Sequence, residues 1–206
     1  ELGGSLINSG LIALKLKAVE ATLALSGFNS EKVKENFDAI RQNLGGIEAA
    51  SFGFLVNFSK TAQITGTSGE NLAKILSIQE SVSDASRETL LAQMEANSLM
   101  IEMKGIAPEA VFNDLAENAE FFATSMKAGT NNVMKTAIQA RKLGLNLGTV
   151  AKISEGLLDF ESSIEKQMEA SMLLGRQINL DKARQLSFMD DQEGMMTLYF
   201  LNLLLE

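Results

Sequence analysis

The sequence predicts an all-α fold, because its proline, glycine and apolar spacing all favour this class. The 206 residues include one proline, whereas 16 glycines recur at intervals that suit turns between helices. Apolar residues stand three and four positions apart, which is the spacing of one helix face. Strand-like alternation is almost absent. We expect roughly eight to eleven helices joined by short glycine-containing turns, with no sheet.

Three apolar helices are expected in the first 65 residues. The first spans Leu2 to Leu25. The second spans Ser30 to Leu44, has its apolar residues on one face, and ends at Gly45-Gly46 in the manner of a left-handed C-cap. The third spans Ile47 to Ile64 and is apolar on more than one face, which predicts a buried or oligomeric helix.

Helix signals continue through the middle of the chain. Thr67-Ser68 supplies the N-cap of the fourth helix, and the next helix stops at Gly105. Pro108 gives the strongest start signal, because proline suits the first helical position. That helix is expected to continue to Gly129. Another, shorter helix is expected from Asn131-Asn132 to Gly144.

The last third of the chain is also predicted to be helical. Apolar residues at helical spacing follow Asn146 and continue to Gly175, where a turn intervenes. Asn179 is a suitable N-cap for the next helix. Met195 to Leu205 forms a final apolar segment.

A faint internal repeat suggests a modular organisation. Residues 66–75 resemble residues 144–153, and residues 93–99 resemble residues 167–173. A duplication of this kind favours a helical array over a single enzyme fold. We read the chain as N-terminal apolar helices followed by two helical modules, the second a degenerate repeat of the first. The predicted regions are residues 1–65, 66–143 and 144–206.

Composition argues against most catalytic chemistry. The chain has no histidine and no cysteine, so it lacks an imidazole base, a thiolate nucleophile and the usual zinc ligands. Its net charge of −8 disfavours nucleic acid as the main partner, because duplex binding needs clustered lysine and arginine. We expect a structural or binding protein with no catalytic residue, cofactor or metal.

Two patterns could nevertheless carry chemistry. Glu161, Glu165 and Glu169 stand four apart and therefore share a helix face, where paired carboxylates could bind a divalent cation. Nearby lysines favour a solvated or inter-subunit face instead. The stretch Gly66-Thr67-Ser68-Gly69 precedes a helix, where backbone amides can cradle phosphate, but it lacks the Gly-Lys-Ser/Thr end of a P-loop. An ordinary helix corner explains it.

The supply of apolar helix surface exceeds what one layer of helices covers, which predicts association with other copies. The ten methionines lie largely on apolar stripes, and we expect them to fill the core. The residues predicted to form interaction surfaces are Phe52, Phe54, Phe58, Leu198, Phe200, Leu201 and Leu204.

Residues 130–186 carry a resemblance to a known family. The runs from Ala137 to Leu147, Val150 to Lys152, Gly156 to Ile164 and Gly175 to Arg184 resemble the tail length tape measure proteins of tailed bacteriophages. Gly105 to Glu109 and Asp114 to Ala116 are similar to the same family. The chain begins at Glu1 rather than methionine, and we expect it to be a segment of a longer polypeptide.

The resemblance implies a structural protein of the virion, assembled in the host cytoplasm. It implies that this segment sets tail tube length and fills or plugs the tube lumen at the tail end or baseplate before genome ejection. Members of the family are long helical chains that fill the tail tube lumen, set its length and leave when the genome is ejected. It implies a homo-oligomer of parallel copies around the tail axis, a trimer or hexamer, that contacts tail tube and baseplate hub proteins. DNA would lie close to the protein without being its binding partner.

The sequence leaves two alternatives open. The first is a membrane-active helical protein, a pore-forming or injection-translocator subunit, that uses Leu2 to Leu25 and Met195 to Leu205. The resemblance also allows membrane contact on ejection. The second is an enzyme with a carboxylate-bound metal at the Glu161 face.

Overall fold

The computed structural model describes residues 2–46, 50–126 and 130–204. These residues form twelve helices and no strand, which confirms the all-α prediction. The chain divides into two compact units, Glu1–Ala119 and Glu120–Glu206.

The first unit is built from six helices. They are α1 (Leu2–Ala24), α2 (Ser30–Asn43), α3 (Phe52–Thr65), α4 (Gly69–Val82), α5 (Arg87–Met103) and α6 (Pro108–Glu117). Serine and asparagine caps fix several of these starts, since Asn29, Ser51, Ser68 and Ser86 each accept a hydrogen bond from a backbone amide in the first turn. The predicted cap at Ser68 and the predicted start at Pro108 are confirmed.

The third helix begins later than predicted. Residues 47–49, where we placed its start, lie outside the described residues, and α3 starts at Phe52 because the Ser51 hydroxyl accepts a hydrogen bond from the Phe54 amide at 3.0 Å. In the core of this unit α2 packs against α4, α3 against α5, and α4 against α6.

The second unit contains the other six helices. They are α7 (Ala119–Met126), α8 (Thr130–Lys142), α9 (Leu147–Leu158), α10 (Phe160–Leu174), α11 (Asp181–Phe188) and α12 (Gln192–Leu204). Its apolar core joins side chains of α8, α9, α11 and α12 with the segment before α11. The buried members are Ala140, Val150, Leu157, Ile178, Leu180, Ala183, Met195 and Met196.

The prediction of one helix from Pro108 to Gly129 is wrong. Helix α6 ends at Glu117, and Gly129 lies outside the described residues. Asn118 leaves helical geometry at φ −109° and ψ 43°, and its side-chain amide donates to the Asp114 carbonyl and carboxylate oxygens, both at 2.9 Å. These bonds stabilise a break that contains neither glycine nor proline.

A second unpredicted break separates α9 from α10 at Asp159, which is both the C-cap of α9 and the N-cap of α10. These two breaks help to raise the described helices to twelve, above the eight to eleven expected. Farther on, Asn179 accepts a hydrogen bond from the Asp181 amide at 2.9 Å, although Leu180 occupies the N-cap position of α11.

The first repeated block has the same local structure in both places. Gly66 and Gly144 adopt left-handed geometry, with φ of 71° and 73°, and the helices α4 and α9 each begin three residues later. Glycine suits both positions because, having no Cβ, it adopts left-handed backbone geometry without steric cost. The predicted boundaries after residues 65 and 143 fall in these turns, inside the first and second units, and the three-part division stays a prediction.

Replacing Gly69 with alanine is expected to destabilise the first unit. The added Cβ would overlap Asn36 Oδ1 and lie 3.0 Å from Asn36 Cα, where α2 crosses α4. Overpacking of this kind costs about 1–3 kcal/mol, which urea unfolding followed by circular dichroism can measure. In the control Gly10→Ala the added Cβ meets open space in α1, so stability should rise by up to about 1 kcal/mol. A Gly69→Ala variant as stable as the wild type would contradict the close crossing.

Candidate interaction surface

Helix α10 is attached to its unit through a polar face. Its one fully buried residue is Ser163, with Gln167 and Ser171 half-buried on the same side. The backbone before α11 returns along this face: the Ile178 amide donates to Ser171 Oγ at 3.0 Å, and the Leu180 amide donates to Gln167 Oε1 at 3.2 Å. Hydrogen bonds therefore hold this side of the helix, together with Ala170, which packs against the core of the unit.

Arg184 on α11 lies at the centre of this polar contact. The residue is only 4% exposed. Its Nη1 donates to Ser163 Oγ at 2.9 Å, and its Nη2 donates to Gln167 Oε1 at 2.7 Å and to Asp181 Oδ1 at 2.6 Å. A planar guanidinium can serve these acceptors together, whereas a lysine ammonium is a point charge. Arg184 thus fixes which face of α10 turns inward.

A neighbouring side of α10, about 100° around the helix from the polar face, exposes an apolar stripe, defined here as Phe160, Ile164, Met168 and Met172. These residues stand four apart and therefore run along one side of the helix. Their exposed fractions are 55%, 46%, 61% and 76%. Four large apolar side chains in a row on one helix are the kind of surface that proteins use for association.

An acidic row, Glu161, Glu165 and Glu169, runs beside the apolar stripe. Each carboxylate follows a stripe residue by one position, and all three are exposed. The described residues contain no group of three or more acidic side chains arranged to hold a metal ion. The row therefore gives the stripe a negatively charged edge.

The aromatic residues predicted to form a surface on α3 take different places. Phe54 and Phe58 are buried in the core, with ring centroids 5.9 Å apart, and the Arg87 guanidinium lies 5.7 Å from the Phe54 ring centroid. Phe52 is exposed at the start of α3. An interaction role for α3 stays a prediction, with Phe52 as its accessible member.

The predicted residues on α12 also divide. Leu198 is half-buried and packs against the core of the second unit, and Phe200 is half-buried with its ring centroid 5.4 Å from that of Tyr199. Leu201 is exposed. The side chain of Leu204 lies outside the described residues.

The exposed surface of α10 was not predicted, because methionines on apolar stripes are expected to lie in the core. That expectation is confirmed for Met94, Met195 and Met196, which are fully buried, and is wrong for Met103, Met168 and Met172. One sequence signal could have indicated this surface. A polar row, Ser163, Gln167 and Ser171, has the same four-residue spacing as the apolar stripe and could equally have been the face that turns inward.

Two clefts border helix α10 and the turn before α4. The first cleft, of about 390 Å³, lies on the polar face of α10. It is lined mainly by apolar residues together with Lys152 and Lys166. The other, of about 490 Å³, contains Gly66-Thr67-Ser68-Gly69. Its charged lining residues are Lys32, Glu35 and Glu109. Because carboxylates outnumber the lysine there, this cleft does not favour a phosphate.

Across the part of the chain that the structure describes, no helix combines the length and apolar character needed to cross a bilayer. Comparison of the chain with protein-family models, with curated proteins and with solved structures finds no match.

Replacing Arg184 with leucine is expected to destabilise the second unit by about 2–4 kcal/mol, because hydrogen bonds to charged groups are lost and buried acceptors are left without their donor. Urea unfolding gives the free energy, and hydrogen exchange of α10 amides should accelerate. Arg184→Lys should restore only part of the stability. The exposed neighbour Lys182 provides the control, since Lys182→Ala should change stability by less than about 0.5 kcal/mol. Unchanged exchange in α10 after Arg184→Leu would argue against this anchoring role.

Proposed function

We propose that the chain is a structural segment of a bacteriophage tail tape measure protein, and that it acts by packing against other protein rather than by catalysis. The resemblance of residues 130–186 to this family motivates the assignment, and an all-helical chain agrees with it. In this proposal the segment belongs to the virion, where it helps to fill or plug the tail tube before genome ejection.

The observation that carries the packing role is the exposed apolar stripe of α10. Fully burying a leucine- or methionine-sized side chain gains about 1.5–3 kcal/mol. Covering a stripe of four such residues would therefore supply substantial association free energy, although part of it offsets the entropy lost on binding. A surface of this kind suits a module that is completed by assembly.

The helix lengths favour a folded end of the tape measure over its extended ruler. The described helices run from 8 to 23 residues, so the longest, α1, extends about 35 Å at 1.5 Å per residue. A ruler needs a far longer uninterrupted helix. We propose that tail length is set by the rest of the parent polypeptide, and that this segment lies near the baseplate end of the tail.

The expected partners follow from that location. Parallel copies around the tail axis, as a trimer or hexamer, would bring equivalent segments side by side. The baseplate hub and tail tube proteins would surround them, and DNA would be near without being bound specifically. The net charge of −8 agrees with this last point.

Immunogold electron microscopy tests the proposal directly. Antibodies raised against the purified 206-residue chain should label one end of tails on disrupted particles of the virus that encodes it. The label should be lost from tails that have ejected their genome. Pre-immune serum on the same grids is the control. Tails that carry no label, with the chain detected only in infected cells, would contradict the assignment.

A further inference from the structure

Residues 93–99 and 167–173 resemble each other, with five of seven positions identical, and the two segments bury different faces. Residues 93–99 lie in α5 and residues 167–173 lie in α10. Met94 is fully buried, whereas Met168, its counterpart in the repeat, is 61% exposed. The face that α5 turns inward is therefore the face that α10 turns outward.

A helix covers this face in α5. Helix α3 packs along α5, where Thr61 Oγ1 donates a hydrogen bond to Glu95 Oε1 at 2.7 Å. The covering helix thus combines apolar side chains with a donor opposite the carboxylate. Glu169 occupies the place of Glu95 in the repeat, so α5 provides an internal precedent for what would cover α10.

The charges on α10 argue against a second copy of α10 as the occupant. Its one basic residue, Lys166, lies about 160° around the helix from Met168, at 100° per residue. The flank of the apolar stripe opposite the acidic row is the polar side that contains Gln167 and Ser171. Two copies meeting stripe to stripe would therefore place no cation of α10 opposite the acidic row.

We infer that the apolar stripe of α10 binds an amphipathic helix of a different protein segment, apolar on one side and bearing lysine or arginine opposite Glu161, Glu165 and Glu169. This inference rests on the proposed function, in which assembly partners cover exposed helix faces. Apolar contact supplies the affinity, and the charged edge sets orientation and partner choice.

Two synthetic peptides test the inference. Both are 18-residue helices with the same leucine stripe, and they differ only in carrying lysine or glutamate on the flanks. Isothermal titration with the full chain at 150 mM salt should give at least tenfold tighter binding for the lysine peptide. Met168→Asp in the exposed stripe should weaken that binding at least tenfold.

Charge reversal separates a specific site from general attraction to an acidic protein. The triple variant E161K/E165K/E169K should switch the preference to the glutamate peptide. The matched control E35K/E102K/E117K changes the net charge equally at exposed positions of the first unit and should keep the preference for the lysine peptide. Circular dichroism checks that both variants remain helical.

Several results would overturn the inference. One is equal affinity for the two peptides, or no binding of either. Another is loss of the preference in the control variant, which would indicate non-specific attraction. A third is self-association in sedimentation velocity that Met168→Asp abolishes, since it would make a second copy the occupant. Tail labelling is measured independently, so failure of the docking site is distinguishable from failure of the proposed function.

Discussion

A buried guanidinium determines how the most unusual helix of this protein is presented. Arg184 donates hydrogen bonds to Ser163 and Gln167, two side chains on the polar face of α10. Because a buried polar group is costly without partners, this contact strongly favours one orientation of the helix. With this face turned inward, the apolar stripe from Phe160 to Met172 is exposed.

This arrangement links the stability of the second unit to its proposed role in assembly. Helix α10 leaves large apolar surface in water, while Ala170 on its inward side packs against the core that joins α8, α9, α11 and α12. A helix that is held on its inward side and bare along its apolar stripe can receive a partner without rearrangement of that core. The acidic row beside the stripe adds a preference for a basic partner, in the way that charged flanks select partners in coiled coils.

Local chemistry made much of the fold predictable, and long-range contacts account for what was not. The cap at Ser68, the start at Pro108 and the left-handed glycines at Gly66 and Gly144 act within a few residues, so a sequence pattern reveals them. The break at Asn118 depends on a side-chain amide bonding back to the previous turn. The inward face of α10 depends on Arg184, which lies 21 residues beyond Ser163. Four-residue spacing identified the acidic row of α10 from the sequence, but spacing alone does not tell which row of a helix meets the core.

The apolar stripe is exposed in the isolated chain, and we propose that it is covered in the assembled tail. Oxidation of methionine by dilute peroxide, followed by mass spectrometry, measures this at single residues, because accessible thioethers react first. In the purified chain Met168 and Met172 should oxidise much faster than the buried Met94 and Met195. In intact tails, the account predicts that Met168 and Met172 become protected at least tenfold. Equal oxidation of these two residues in the free chain and in the tail would contradict it.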